Sequence, residues 1–370
     1  MRLKPFRLER YFAKHEFTAP FLLCSSDCES MPLKDLLALE PGAADRFGAL
    51  WLGYTESAGH PELRRAIAAL YERISADQVL VHTGAEEAIF NFMNVALNPG
   101  DHVIVHAPYY QSLGEVARSI GAHVAEWRGD AQRGWELDID LLQAALTPRT
   151  KLVVVNFPHN PTGFLPEHEL VRQLVSLSER HGFIIFSDEV YRGLELDPSD
   201  RLPALSDLSH RAVSLGVMSK TYGLAGLRIG WLATRNRHLF SELAAFKDYT
   251  TICNSAPSEF LATLALRKAG VIVERNLRII HRNLDHLDAF FACHQDLFDW
   301  RRPRAGSVAF PALLQGTVER FCADLVKTSG VLLLPGTLYG KGLNAFRVGF
   351  GRNNVPEALE RLKEHLRTSR

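Results

Sequence analysis

A lysine lies just ahead of a glycine-rich turn, and an arginine follows eight residues later at the start of an apolar strand, in Ser219-Lys220-Thr221-Tyr222-Gly223-Leu224-Ala225-Gly226-Leu227-Arg228-Ile229-Gly230-Trp231. A lysine amine condenses with an aldehyde to a Schiff base, glycine lets the backbone turn closely around a ligand, and a guanidinium forks onto phosphate oxygens. The stretch therefore suits an aldehyde cofactor with a phosphate tail. Taken alone, it reads equally as a surface lysine beside a tight turn.

Other polar residues fall where apolar strands end. Leu152-Val153-Val154-Val155 leads into Asn156-Phe157-Pro158-His159-Asn160, and Phe183-Ile184-Ile185-Phe186 leads into Ser187-Asp188-Glu189-Val190-Tyr191. Such short apolar runs are typical of buried parallel strands, and in open α/β sheets ligands bind outside the carboxyl ends of those strands. Asn160, Asp188 and Tyr191 are thereby expected in one crevice with Lys220. A further strand, Val79-Leu80-Val81-His82, turns through Thr83 and Gly84 into a helical pattern that starts at Ala85 and Glu86. Free amides at a helix start, helped by the helix dipole, make a phosphate site, although this connection is also a common structural one.

With these segments in this order, the chain resembles the class I/II aminotransferases, fold-type I enzymes that use pyridoxal 5'-phosphate (PLP). The likeness runs from Tyr54 to Arg347. It implies that Lys220 forms the Schiff base, that Asp188 pairs with the pyridine nitrogen, and that Asn160 and Tyr191 hydrogen-bond the phenolic oxygen of the ring. It also implies that Arg228 and the amides of Gly84, Ala85 and Glu86 hold the phosphate, with Ser219 expected to replace the contact that many relatives make from the position of Val217. Tyr110, in Pro108-Tyr109-Tyr110, would stack on the ring, and Arg347, in Ala345-Phe346-Arg347-Val348-Gly349, would grip the substrate α-carboxylate with Asn160 nearby. By the same resemblance Tyr54 reaches the phosphate in a neighbouring subunit, which implies a homodimer with shared active sites. The implied reaction moves an amino group between an L-amino acid and a 2-oxo acid, with Lys220, Asp188 and Tyr191 as the catalytic group.

Physical chemistry gives each role a reason. A protonated pyridine nitrogen needs a nearby anion, a proton-carrying lysine needs a lowered pKa, a flat ring takes a flat partner, and an α-carboxylate is best held by a bidentate guanidinium. Simpler readings exist residue by residue: Asp188 could cap a turn, Tyr191 could be a core aromatic, Tyr54 could sit in an ordinary loop, and Arg347 could bridge a domain interface.

The rhythm of strand candidates near 79–82, 102–106, 123–127, 151–155, 183–186, 213–217 and 229–233, alternating with helical patterns such as 166–181, predicts an α/β fold with a mainly parallel seven-stranded sheet. Residues 45–262 are expected to form the large PLP-binding domain, and residues 1–44 and 263–370 a smaller α/β domain. One helix is expected to run from Pro257 to about Phe291. The 370 residues, 46% hydrophobic and 23% charged, suffice for a large core, and 42 basic against 42 acidic residues leave no field that would attract nucleic acid or an anionic membrane. The charged start Met1-Arg2-Leu3-Lys4-Pro5-Phe6-Arg7 lacks a following apolar core and is not expected to be a secretory signal. Five cysteines, at 24, 28, 253, 293 and 322, show no metal-ligand spacing, so no metal is expected, and their odd number favours the cytoplasm.

Two departures from the family pattern stand out. Val217 occupies a place where many relatives carry a phosphate-binding serine, and the usual glycine-rich substrate segment reads Leu23-Cys24-Ser25-Ser26-Asp27-Cys28-Glu29-Ser30. This segment, with Lys247-Asp248-Tyr249-Thr250-Thr251, resembles the branch that includes capreomycidine synthase, in which the substrate is a modified arginine; Asp27 and Glu29 would then suit a cationic side chain. The alternative reaction is elimination, replacement or cyclisation on an amino acid. A regulatory module fused to a DNA-binding domain is a third reading, disfavoured because Tyr54 comes early and no basic tract is present.

Overall fold

The structure is a computed structural model that describes residues 2–368. Seven strands form one sheet: β1 (Val79–His82), β2 (His102–Ala107), β3 (His123–Arg128), β4 (Thr150–Asn156), β5 (Ile184–Asp188), β6 (Ala212–Val217) and β7 (Gly230–Thr234). Their order is β1-β7-β6-β5-β4-β2-β3. The pairs β2/β3, β2/β4, β4/β5 and β5/β6 are parallel, whereas β7 is antiparallel to both β1 and β6. The expected strands are thus all present, each within one or two residues of its predicted bounds.

β1, β6 and β7 are buried along their whole lengths, and β4 and β5 nearly so, as the near-continuous apolar runs require when helices cover both faces. The chain steps outward from β2 to β3 and then returns to β4 on the other side of β2, which opens a crevice at the carboxyl ends of the central strands. Register matters there: Asn156 at the end of β4 lies opposite Asp188 at the end of β5. Phe92 on the helix Ala85–Ala96 packs on Phe186 of β5 with ring centroids 4.5 Å apart, fixing that helix against the sheet.

The predicted helix beyond Pro257 is two helices, Ala256–Arg267 and Ala269–Ala292, because the chain leaves helical geometry at Lys268 (φ −109°, ψ 20°). Gly270 follows at once, and glycine's low helix propensity weakens continuity at that point. The helix expected over 166–181 is present as His168–His181.

The C-terminal part builds a small sheet in which Phe346–Gly349 pairs with Leu334–Pro335 on one side and Val308–Ala309 on the other. N-terminal residues join it. Phe21 bridges to Val331, and Leu8, Cys24, Phe310, Leu332, Leu334 and Tyr339 share one buried cluster. Gly349 permits this junction: a side chain there would overlap the Ser25 carbonyl, while its own amide donates to Leu23 O at 2.8 Å. The segment 23–27 is thereby laid beside Arg347. Among the described residues, no helix is long and apolar enough to cross a membrane.

Candidate active site

Lys220 follows β6, and its Nζ donates to Ser26 Oγ at 2.8 Å. Burial lowers its pKa; Asp27 and Asp188 oppose that shift, and Arg347 adds to it. The amine faces a cavity of about 330 Å³ lined also by Ala85, Glu86, Tyr110, Asn160, Asp188, Tyr191, Ser219, Arg228 and Arg347. Segments from more than three hundred residues of sequence meet there.

Asp188 has no cation in salt-bridge contact among the described residues, and its Oδ1 accepts only from Val190 N at 3.2 Å. Burial pushes its pKa up to about 7, with the Val190 amide and Lys220 pulling the other way. The side chain is held in place because β5 is pinned beside β4: Asn156 Nδ2 donates to Asp188 O at 2.9 Å, and Asn156 Oδ1 accepts from Asn160 N at 2.7 Å. Tyr191 is fully buried, and its hydroxyl makes no hydrogen bond of ordinary geometry among the described residues, although Ser26 is near enough to influence it.

At the other end of the cavity, β1 turns at Gly84 (φ +83°) into the helix Ala85–Ala96. A Cβ at Gly84 would lie 2.6 Å from Arg228 Nη2, so the turn and the guanidinium touch only because the residue is glycine. Arg228 itself takes a left-handed conformation (φ +52°) after the short turn Ala225–Leu227, and no acid pairs with it among the described residues. Glu86 accepts from Ser112 Oγ at 3.1 Å, and burial raises its pKa. Val217 lines the same end as an apolar wall beside Ser219.

Arg347 is only 2% exposed. Its Nε donates to Cys24 O at 3.0 Å, and Nη1 donates to Asn160 Oδ1 at 3.1 Å and to Tyr339 Oη at 2.7 Å. Tyr339 in turn donates to Asn160 Oδ1 at 3.3 Å. The three side chains form a closed triangle that leaves Arg347 Nη2 and Asn160 Nδ2 without a partner among the described residues. A buried guanidinium without an anion is costly unless a ligand supplies one.

Tyr110 stands at the cavity wall, donates from Oη to Glu9 Oε1 at 2.9 Å and packs on Phe6 with centroids 5.0 Å apart. Tyr54 lies elsewhere: it is 92% exposed and borders a different groove with Trp51 and Phe260. The pairing of Asp27 and Glu29 with a cationic ligand needs correction. Asp27 lines the cavity, but Arg352 occupies it through Nε at 3.2 Å and Nη2 at 2.9 Å; Glu29 is outside the cavity and accepts from Asn353 N at 2.7 Å. Glu29 points away because its backbone is anchored, its amide donating to Gly351 O at 2.8 Å.

Sequence reasoning missed Tyr339, Ser26, Arg352 and the cavity-facing residues Leu8, Glu9, Phe12 and Glu16 of the N-terminal helix Arg7–His15 and its C-cap. A spacing of four at Leu8, Phe12 and Glu16 marked one helix face, but nothing local indicated which surface it would meet.

The residues present fit PLP. A lone buried carboxyl, an unpartnered phenol, a basic amine and a helix N-terminus with a free guanidinium match its ring nitrogen, phenolic oxygen, aldehyde and phosphate. A sequence profile of the family Aminotransferase class I and II matches residues 20–365, and the chain belongs to that family and is PLP-dependent. Capreomycidine synthase of Streptomyces vinaceus is 31% identical over 366 residues, covering 98% of this chain and 93% of that protein. A PLP-dependent aminotransferase structure from Streptococcus suis superposes with a TM-score of 0.94 at 31% identity, over 100% of this chain and 99% of that one. The PLP-dependent cyclase OrfR gives a TM-score of 0.91 at 32% identity, again over 100% and 99%.

Proposed function

We propose that this enzyme is an aminotransferase that exchanges an amino group between an L-amino acid and a 2-oxo acid. The observation that supports it is the placement of Arg347, buried and without an anion, in one cavity with the Lys220 amine and the Asp188 carboxyl. Such a site takes a small molecule with a carboxylate beside a reacting amine.

In this reading Arg347 Nη2 and Asn160 hold the substrate carboxylate, Asp188 keeps the cofactor's ring nitrogen charged, and the Tyr191 hydroxyl and Asn160 amide meet the phenolic oxygen. Arg228, Ser219, Tyr110 and the amides of Gly84, Ala85 and Glu86 hold the remainder of the cofactor. When bound, PLP withdraws electrons from the substrate's α-carbon. Lys220 Nζ, whose pKa is lowered, takes and returns the α-proton, and Ser26 orients that amine between transfers. The reading includes the division into a large unit, 45–262, and a small one, 1–44 with 263–370. It also includes a homodimer in which Tyr54 completes the partner's phosphate site, and a cytoplasmic setting that fits five free cysteines.

A second reading, cyclisation or elimination on the amino acid, is favoured by the likeness to capreomycidine synthase and to the cyclase. The PLP-loaded protein, incubated with single L-amino acids and 2-oxoglutarate, should yield matching amounts of the donor's oxo acid and glutamate. Lys220→Ala should lower that rate by about a thousandfold, the scale of positioned acid–base catalysis. Normal turnover in the variant would sink the assignment, and a cyclised or deaminated product without exchange would transfer it to the second reading.

A further inference from the structure

The helix Ala269–Ala292 buries an apolar stripe that includes Ile272, Ile279, Ile280, Leu284 and Leu287, and two asparagines interrupt it. Asn276 and Asn283 are both fully buried. They are seven residues apart, which is two helical turns, so both side chains leave the same face about 10 Å apart along the axis. A buried amide costs free energy unless hydrogen bonds offset its lost hydration, whereas leucine fills nearly the same space without that cost. Packing alone therefore does not call for asparagine at either position.

The two amides hold two different lining segments of the active-site cavity. Asn276 Nδ2 donates to Thr221 O at 2.9 Å, on the residue that follows Lys220. Thr221 is itself buried, and its hydroxyl lies 3.0 Å from both Val190 O and Arg192 O, which ties the lysine turn to the segment carrying Asp188 and Tyr191. Asn283 Nδ2 donates to Phe350 O at 2.9 Å and to Arg352 O at 2.6 Å, just beyond the strand Phe346–Gly349 that carries Arg347. Arg275, beside Asn276, donates to Glu29 O and Ser30 O, both at 2.9 Å, and to Asn276 Oδ1 at 3.2 Å, so the segment that holds Ser26 is anchored to the same helix. Asn283 Oδ1 is buried without a partner among the described residues. An amide kept there despite an unmet acceptor points to a need for the bonds it donates.

We propose that Asn276 and Asn283 are positioning residues. Through Thr221 the first fixes the Lys220 amine, through the Phe350 and Arg352 carbonyls the second fixes the Arg347 guanidinium, and the helix between them sets the separation of the two. Neither asparagine lines the cavity, so each acts through the segment it holds. This rests on the amino-acid reading given above, in which the amine works at the α-carbon and the guanidinium grips the carboxylate bonded to that carbon. Two groups that act on adjacent atoms of one small molecule must be spaced closely, and a misplacement of about 1 Å costs up to about a hundredfold in rate. Lys220 and Arg347 are distant in the chain, and this helix joins their segments by one rigid element.

The test uses the PLP-loaded enzyme and follows the bound-cofactor absorbance with L-glutamate and with glutarate, its analogue without the amine. Where another L-amino acid moves the spectrum faster, it and its own deaminated analogue take their place. The analogue reads the carboxylate site at equilibrium, and the limiting rate of the spectral change with the amino acid reads the amine. Asn283→Ala should raise the half-saturating concentration of the analogue about tenfold and leave the limiting rate within about twofold. Asn276→Ala should do the reverse, lowering the limiting rate about ten- to a hundredfold with binding of the analogue within about twofold. Asn276→Leu and Asn283→Leu, which fill the space and remove the donor, should show the same split and stand in where an alanine variant loses its cofactor absorbance. A merely structural role would shift both quantities together or neither, and either result overturns the proposal alone. A cofactor spectrum of the unmodified enzyme that moves with no L-amino acid overturns the amino-acid reading with it.

Discussion

Asp188 illustrates how a single residue reports its partner by lacking one. Its carboxyl, ordinarily at 3.8, is pushed up to about 7 by burial, so the folded chain binds this proton more tightly than the unfolded chain does. Stability from that proton is fully present below about pH 4 and is lost as pH rises to about 7, after which the loss is constant. In cofactor-free protein, Asp188→Asn should therefore raise the melting temperature at pH 8 and make little difference at pH 4, as scanning calorimetry would register; a gain independent of pH would contradict the burial argument. Lys220, Asp188, Asn160 and Arg228 were legible in the sequence because each follows an apolar run or a glycine turn that fixes its place locally. Tyr339 was not. Its contacts to Arg347 and Asn160 depend on two strands and a loop meeting, and no spacing in the chain encodes that.

Elements convert these positions into a site. The strands were readable because burial on both faces demands continuous β-branched and apolar runs, and the structure has them in the predicted places. The helix break at Lys268 had only Gly270 as a local sign, and a single glycine within a helical pattern does not by itself end a helix. The turn from β1 into the helix Ala85–Ala96 carries the clearest element-level prediction. Gly84→Ala imposes a side chain at φ +83° and 2.6 Å from Arg228 Nη2, so it strains the turn and displaces the guanidinium. Loss of one charge-assisted phosphate contact should weaken PLP binding by about tenfold, measured by equilibrium dialysis against free cofactor. Unchanged affinity would separate Arg228 from the phosphate.

At the scale of the whole molecule, the surface around Tyr54 is the part that one chain leaves unexplained. Trp51, Leu52, Tyr54 and Tyr249 are all highly exposed, and buried Lys247 ties their two segments together by donating to Ser57 O at 2.7 Å and Ile252 O at 3.0 Å. An exposed aromatic patch on a built scaffold is the mark of an interface. Sedimentation should accordingly give a dimer, and Tyr54→Phe should weaken PLP binding while leaving the dimer intact; a monomer that binds cofactor normally would refute the shared site. The sequence by itself determined the family, the sheet and most of the residues that line the cavity, because strand ends, glycine turns and helix starts are local patterns with local causes. Tertiary structure alone decided which acids of the N-terminal segment line the cavity and which are paired within the chain. Asp27 is neutralised by Arg352, Glu29 is turned toward Asn353, and Glu9 and Glu16 are brought in by a helix whose packing partner lies some three hundred residues away in the chain. Direction of a side chain into a shared cavity is set by the packing of distant segments, and that information is not carried by any one of them.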